Sequence, residues 1–165
     1  MGAGKTSVGR KLAAQLEIPF VDADQEIEEA AGCTIEDFFE LYGEPAFREG
    51  EERVIRRLIE GDQQVLATGG GAFISESIRE IIAENGISVW LRADLEVLAR
   101  RTGRRGGRPL LNNDDPKTTL KKLIDQRYPV YAKADIVVDT GPEGVELTTE
   151  AIIASLNSFL PVANR

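Results

Sequence analysis

Short apolar, β-branched runs alternate with longer amphipathic stretches along the whole chain, and this alternation limits the fold more than any other feature. The runs are IPFVD (18–22), VLATGGG (65–71), ISVWLRA (87–93) and ADIVVDT (134–140). VWL and IVV carry no polar alternation, as expected of strands covered on both faces. The segments between have helical spacing, as in TSVGRKLAAQLE with Val8, Leu12 and Leu16 on one face. Strand and helix in turn predict an α/β fold, three layers α/β/α around a central parallel sheet.

The helical segments carry their own punctuation. QEIEEAAG, TIEDFFELYG and PAFREGEERVIRRLIEG read as three helices, with Thr34 as an N-cap and Pro45 in an opening turn. SESIREIIAENG ends at Gly86, a C-terminal glycine. DLEVLARRTG, DPKTTLKKLIDQRYPVYAKA and GPEGVELTTEAIIASLNSFL supply the remaining helices. No internal repeat and no interdomain linker is visible, so residues 1–165 are expected to form one domain.

Composition removes several classes of chemistry. The chain has 165 residues and no histidine, which excludes Ser-His-Asp and Cys-His catalysis and His-containing zinc sites. Cys33 stands alone, so there is no disulfide framework. A net charge of -8 and a pI near 4.7 oppose a nucleic-acid surface. No apolar run reaches the roughly 18 residues that a membrane span needs. A cytoplasmic protein, monomeric because no apolar face is left over, is expected.

Four constellations could carry chemistry. The first is MGAGKT, where Gly4, Lys5 and Thr6 match the second half of a phosphate-binding loop, G-x-x-x-x-G-K-[ST]. Backbone amides and a helix N-terminus would cradle the β-phosphate of ATP, Lys5 would neutralise the β/γ oxygens, and Thr6 would ligate Mg²⁺. The second is FVDAD, where Asp22 and Asp24 lie two apart past a strand end, placed for a metal through water and for a substrate hydroxyl. Capping of the next helix by Asp24 would account for that residue equally well. The third joins Arg48, with Glu51 one turn on to orient it, to Arg127 and to the bare backbone of Gly69, Gly70 and Gly71. The fourth is RRTGRRGGRPLLNNDD, a basic loop that could close over ATP and deliver Arg108 to the γ-phosphate.

In order and approximate spacing, MGAGKTSVGRKLA, FVDAD, FREGE, TGGGA, RRTGRRGGRPLL, QRYPVYAKAD and VVDT resemble shikimate kinase, a P-loop kinase of the nucleoside-monophosphate-kinase type. The resemblance implies the P-loop NTPase fold, with a substrate-binding helical region at about 24–61 and a lid at about 103–114. It implies ATP-dependent phosphorylation of the shikimate 3-hydroxyl, with ATP and Mg²⁺ and with shikimate as the small-molecule partner. It also implies residue roles. Asp24 binds substrate hydroxyls and takes the proton, and Asp22 reaches Mg²⁺ through water together with Thr6. Arg48 and Arg127 grip the substrate carboxylate, Glu51 is the acidic partner of Arg48, and Gly69, Gly70 and Gly71 contact substrate hydroxyls. Gly2, Ala3, Gly4, Lys5, Thr6 and Ser7 bind ATP, Lys5 and Arg108 act on the transferring phosphoryl, and Arg101 lies against adenine. A gluconate kinase, or a non-catalytic nucleotide-binding protein on the same scaffold, is the alternative.

The sequence departs from that family at its start. The family's sheet has five strands, and its first strand and the first glycine of its phosphate loop would precede Met1. A central strand buries apolar area worth roughly 25 cal/mol per Å², against a total stability of about 5–15 kcal/mol. The expectation is that the chain as written folds poorly or is inactive, and that about ten upstream residues, a strand plus the glycine, would rescue it.

Overall fold

The computed structural model describes residues 2–102, 116–141 and 144–160. The expected lid, with Arg104, Arg105 and Arg108, lies outside them, as do Pro142 and Glu143 of the GPEG turn. Two compact units divide the chain, one of Ala13–Gly86 and one of the described residues within Met1–Leu12 and Ile87–Arg165. No described helix is long and apolar enough to cross a membrane.

In the first unit, β1 (Phe20–Asp22) pairs in parallel with β2 (Val65–Ala67), Val21 opposite Leu66. A parallel pair needs a crossover, and α2 (Ala23–Ala31) and α3 (Ile35–Ile59) provide it. The strand gives way to the helix within FVDAD itself. Asp22 is the N-cap of α2, its carboxylate accepting from Asp24 N at 3.1 Å. One expectation is thereby corrected: Asp22, not Asp24, caps the helix. Asp24 already belongs to the first helical turn, where its charge favours the helix dipole.

Helix α2 ends at Gly32, whose φ of 70° is the left-handed conformation that glycine adopts without a Cβ penalty. Thr34 then caps α3, accepting from Asp37 N at 3.1 Å, as expected. The two helices read from the sequence over 34–61 run on as one element, interrupted at Gly43 (φ 78°, ψ 172°), where Pro45 follows in the next turn. After β2 come a short 3-10 turn (Ala72–Ile74) and α4 (Glu76–Asn85), which ends at Gly86 in an extended rather than left-handed conformation. Ala23, Ile55, Ala72 and Ile78 form the core beneath these elements, with Leu58, Ile59, Leu66 and Ile82 packed around it.

In the second unit, β3 (Val89–Arg92) pairs in parallel with β4 (Ile136–Asp139), Trp90 opposite Val137. Helices α5 (Leu95–Thr102) and α6 (Pro116–Tyr131) lie between them in sequence, and α7 (Gly144–Phe159) closes the chain. Helix α1 (Lys5–Leu16) opens in this unit. Ala93, Leu98 and Leu120 are its core, with Ala3 and Ile124 against them. IVV is not covered on both faces: Ile136 and Val138 are buried, but Val137 between them is 39% exposed. Pro129 sits inside α6, and the helix continues to Tyr131. The last turn tolerates the missing N–H because it is held from the side: Tyr128 packs its ring edge-on to Trp90 at 4.8 Å and donates its hydroxyl hydrogen to Ala93 O.

Candidate active site

Arg48 is the centre of the first unit's polar cluster. It lies on α3 five residues past the Gly43 break, so its side chain reaches back over the turn that precedes it. Its Nη1 donates to Glu51 Oε2 at 2.5 Å, and Glu51 is only 2% exposed. A buried carboxylate is expensive unless paired and hydrogen-bonded, and the guanidinium meets that need. Nε and Nη2 both face Glu44 Oε1, at 3.3 and 3.2 Å. Burial opposes the charge of Arg48, but hydrogen bonds and attraction from Glu51 and then Glu44 outweigh it and raise its pKa. The buried Phe47 ring lies 5.3 Å beneath the guanidinium carbon.

The triple glycine explains itself against this cluster. A Cβ on Gly71 would overlap the Arg48 guanidinium, so only bare backbone lets the arginine settle there. A Cβ on Gly69 would stand 3.0 Å from Asp24 Oδ1 and 3.2 Å from Glu51 Oε1, tighter than ordinary contact. The loop after β2 thus brings Gly69, Gly71, Asp24, Arg48 and Glu51 together. Asp24 is exposed.

The second unit gathers the phosphate-loop residues. Gly2 (φ 71°) and Gly4 (φ 91°) hold the left-handed conformations that the loop's turn requires. The first helical bond of α1 runs from Val8 N to Gly4 O at 2.9 Å, so the amides of Lys5, Thr6 and Ser7 precede the ladder, at the positive end of the helix dipole. Arg101, on α5, donates to Thr140 Oγ1 at 3.1 Å, to Gly141 O at 2.7 Å and to Gly2 O at 3.4 Å. Buried Thr140 in turn donates to Ala3 O at 3.3 Å. The loop is therefore tied to the carboxyl end of β4 through two side chains. Arg127 also belongs to this unit, partly buried on α6 beside Tyr128.

Two contributors escaped the sequence reading. Thr140 stands in VVDT, but nothing local ties it to residues 2 and 3. Glu44 is four residues before Arg48, a helical spacing that favours an ion pair and could have flagged it.

Comparison with known proteins places the chain. Residues 1–157 match the family described as shikimate kinase. A shikimate kinase of Paramagnetospirillum magneticum is 52% identical over 160 residues, covering 97% of this chain and 82% of that protein. One of Nitrobacter winogradskyi is 56% identical over 160 residues, covering 97% and 75%. The structure of shikimate kinase from Acinetobacter baumannii in complex with shikimate superposes with a TM-score of 0.91 at 39% identity, covering 98% of this chain and 91% of the other. The strands of both units are parallel with helical crossovers, as this fold requires, and the chain belongs to the shikimate kinase family.

Proposed function

We propose that this chain transfers the γ-phosphoryl group of ATP to the 3-hydroxyl of shikimate, giving shikimate 3-phosphate and ADP. The observation that carries the reading is Arg48 held by buried Glu51 over bare Gly71. A planar guanidinium fixed in this way suits an acceptor that carries a carboxylate. Family membership, and the shikimate bound by the Acinetobacter relative, support the identity of that acceptor.

In this reading Arg48 and Arg127 grip the shikimate carboxylate, and the backbone of Gly69, Gly70 and Gly71 meets its hydroxyls. Asp24 accepts the proton of the attacking hydroxyl. Gly2, Ala3, Gly4, Lys5, Thr6 and Ser7 hold the phosphates of ATP, Lys5 neutralises the β/γ oxygens, and Arg101 lies against adenine. Arg108 brings a second cation to the transferring group. Phosphoryl transfer asks a protein mainly for position and charge, and these residues supply both.

Mg²⁺ belongs to the same reading. The Thr6 hydroxyl and, through water, the Asp22 carboxylate are hard oxygen donors of the kind it prefers, and an ion held largely by phosphates and water needs few protein ligands. When bound it neutralises charge on the phosphates. We place the reaction in the cytoplasm, where ATP is available, and assign it to a monomer of one catalytic domain.

The test is ADP release from Mg-ATP, with and without shikimate, by the purified protein with the family's first strand and loop glycine in place ahead of Met1. Shikimate-dependent release is expected. Release with gluconate but not shikimate, or ATP binding without turnover, would overturn the reading.

A further inference from the structure

Arg48 serves two carboxylates of its own chain, and they are not equivalent. Glu51 is buried and takes Nη1. Glu44 is exposed, its side chain 62% accessible, and places one oxygen against both Nε and Nη2. Those two nitrogens form the side edge of the guanidinium, one of the edges on which a carboxylate can accept two parallel hydrogen bonds. The guanidinium also packs against Gly71 and lies over the Phe47 ring.

We infer that Glu44 is an internal competitor for the substrate carboxylate: it occupies the side edge of Arg48 and must yield that edge before shikimate can be gripped there. This inference rests on Arg48 being the carboxylate-binding residue of the proposed function. Binding then exchanges one ion pair for another instead of creating one. The exchange lowers apparent affinity and discriminates against acceptors with no carboxylate to displace Glu44. Glu44 is suited to yielding. It follows the Gly43 break, stands on the solvent side of α3, and pairs at the i,i+4 spacing whose exposed examples are weak. Glu51, buried and paired at 2.5 Å, is not.

The experiment compares Glu44→Gln, Glu40→Gln and Arg48→Lys with the unaltered chain in steady-state kinetics, with shikimate varied at several sodium chloride concentrations. Glu40 is exposed and one turn earlier, so its variant makes the same change in net charge away from the guanidinium. For Glu44→Gln the expected result is a shikimate KM about two- to five-fold lower, the range for an exposed ion pair, with kcat little changed. That KM should also rise more steeply with salt, because the variant forms an ion pair where the unaltered chain only exchanges one. Glu40→Gln should leave KM in place. An unchanged or higher KM in Glu44→Gln, with KM raised in Arg48→Lys, would overturn the inference alone and make Glu44 an orienting residue. An unchanged KM in Arg48→Lys would instead overturn the assignment of Arg48 to the substrate carboxylate.

Discussion

Glu51 Oε2 lies 2.5 Å from Arg48 Nη1, and the carboxylate end of this pair is buried while the arginine side chain stays 33% exposed. The asymmetry fixes which partner depends on the other. Arg48 can still reach water, whereas Glu51 has exchanged its solvent for the guanidinium.

Replacing Glu51 by Gln should therefore cost stability as well as substrate affinity. Removing one partner of a fully buried pair costs about 3–5 kcal/mol. The exposure of Arg48 screens the interaction and reduces the expected loss to about 1–3 kcal/mol. Urea unfolding should show a lower midpoint with an unchanged slope, and the shikimate KM should rise in the same variant. An unchanged midpoint would mean that the pair contributes nothing to the fold.

Gly71→Ala addresses position rather than charge. Its methyl group would overlap the end of a flexible side chain, so Arg48 should move and the backbone should stay. We expect the shikimate KM to rise about ten-fold or more, the effect of misplacing a binding group by roughly 1 Å, with a thermal midpoint close to that of the unaltered chain. A normal KM would mean that the resting place of Arg48 on Gly71 is irrelevant to binding.

Thr140→Val keeps the shape of a buried side chain and deletes its hydroxyl, which accepts from Arg101 and donates to Ala3 O. The loop at Gly2 and Ala3 should loosen, raising the ATP KM about five-fold, the factor equivalent to roughly 1 kcal/mol. The shikimate KM should change little. Equal changes in both would point to general unfolding instead of loop anchoring.

Burial raises the pKa of Tyr128 above the ordinary tyrosine value. Its folded form holds the proton more tightly than the unfolded chain does. Its contribution to stability is therefore complete below about pH 10 and is lost as pH rises through the raised value. Ionised Tyr128 can no longer donate to Ala93 O, and its ring is 4.8 Å from Trp90, the chain's one tryptophan. Tryptophan emission followed through an alkaline titration should change with a midpoint above pH 10, and Tyr128→Phe should abolish that step. A midpoint at or below the ordinary value would contradict the burial of the hydroxyl.

The sequence by itself determined what short-range physics controls. Helical spacing at Val8 and Leu12, the Thr34 cap and the β-branched runs each depend on a few neighbouring residues. They led to parallel strands joined by helices. The glycines of MGAGKT and TGGGA were legible for the same reason, since a tight turn or a close approach leaves few other choices of residue. Only the tertiary structure decided which polar groups meet. Asp22 rather than Asp24 caps α2 because the helix begins at Ala23, directly after the last residue of the strand. Val137 faces outward because burial on β4 is set by what packs against each face, not by the apolar character of the run. The tie from Arg101 to Thr140 spans 39 residues, and that from Thr140 to Ala3 spans 137. A hydrogen bond across such distances leaves no periodicity or spacing in the sequence, because the energy that makes it belongs to the packed elements that bring its ends together.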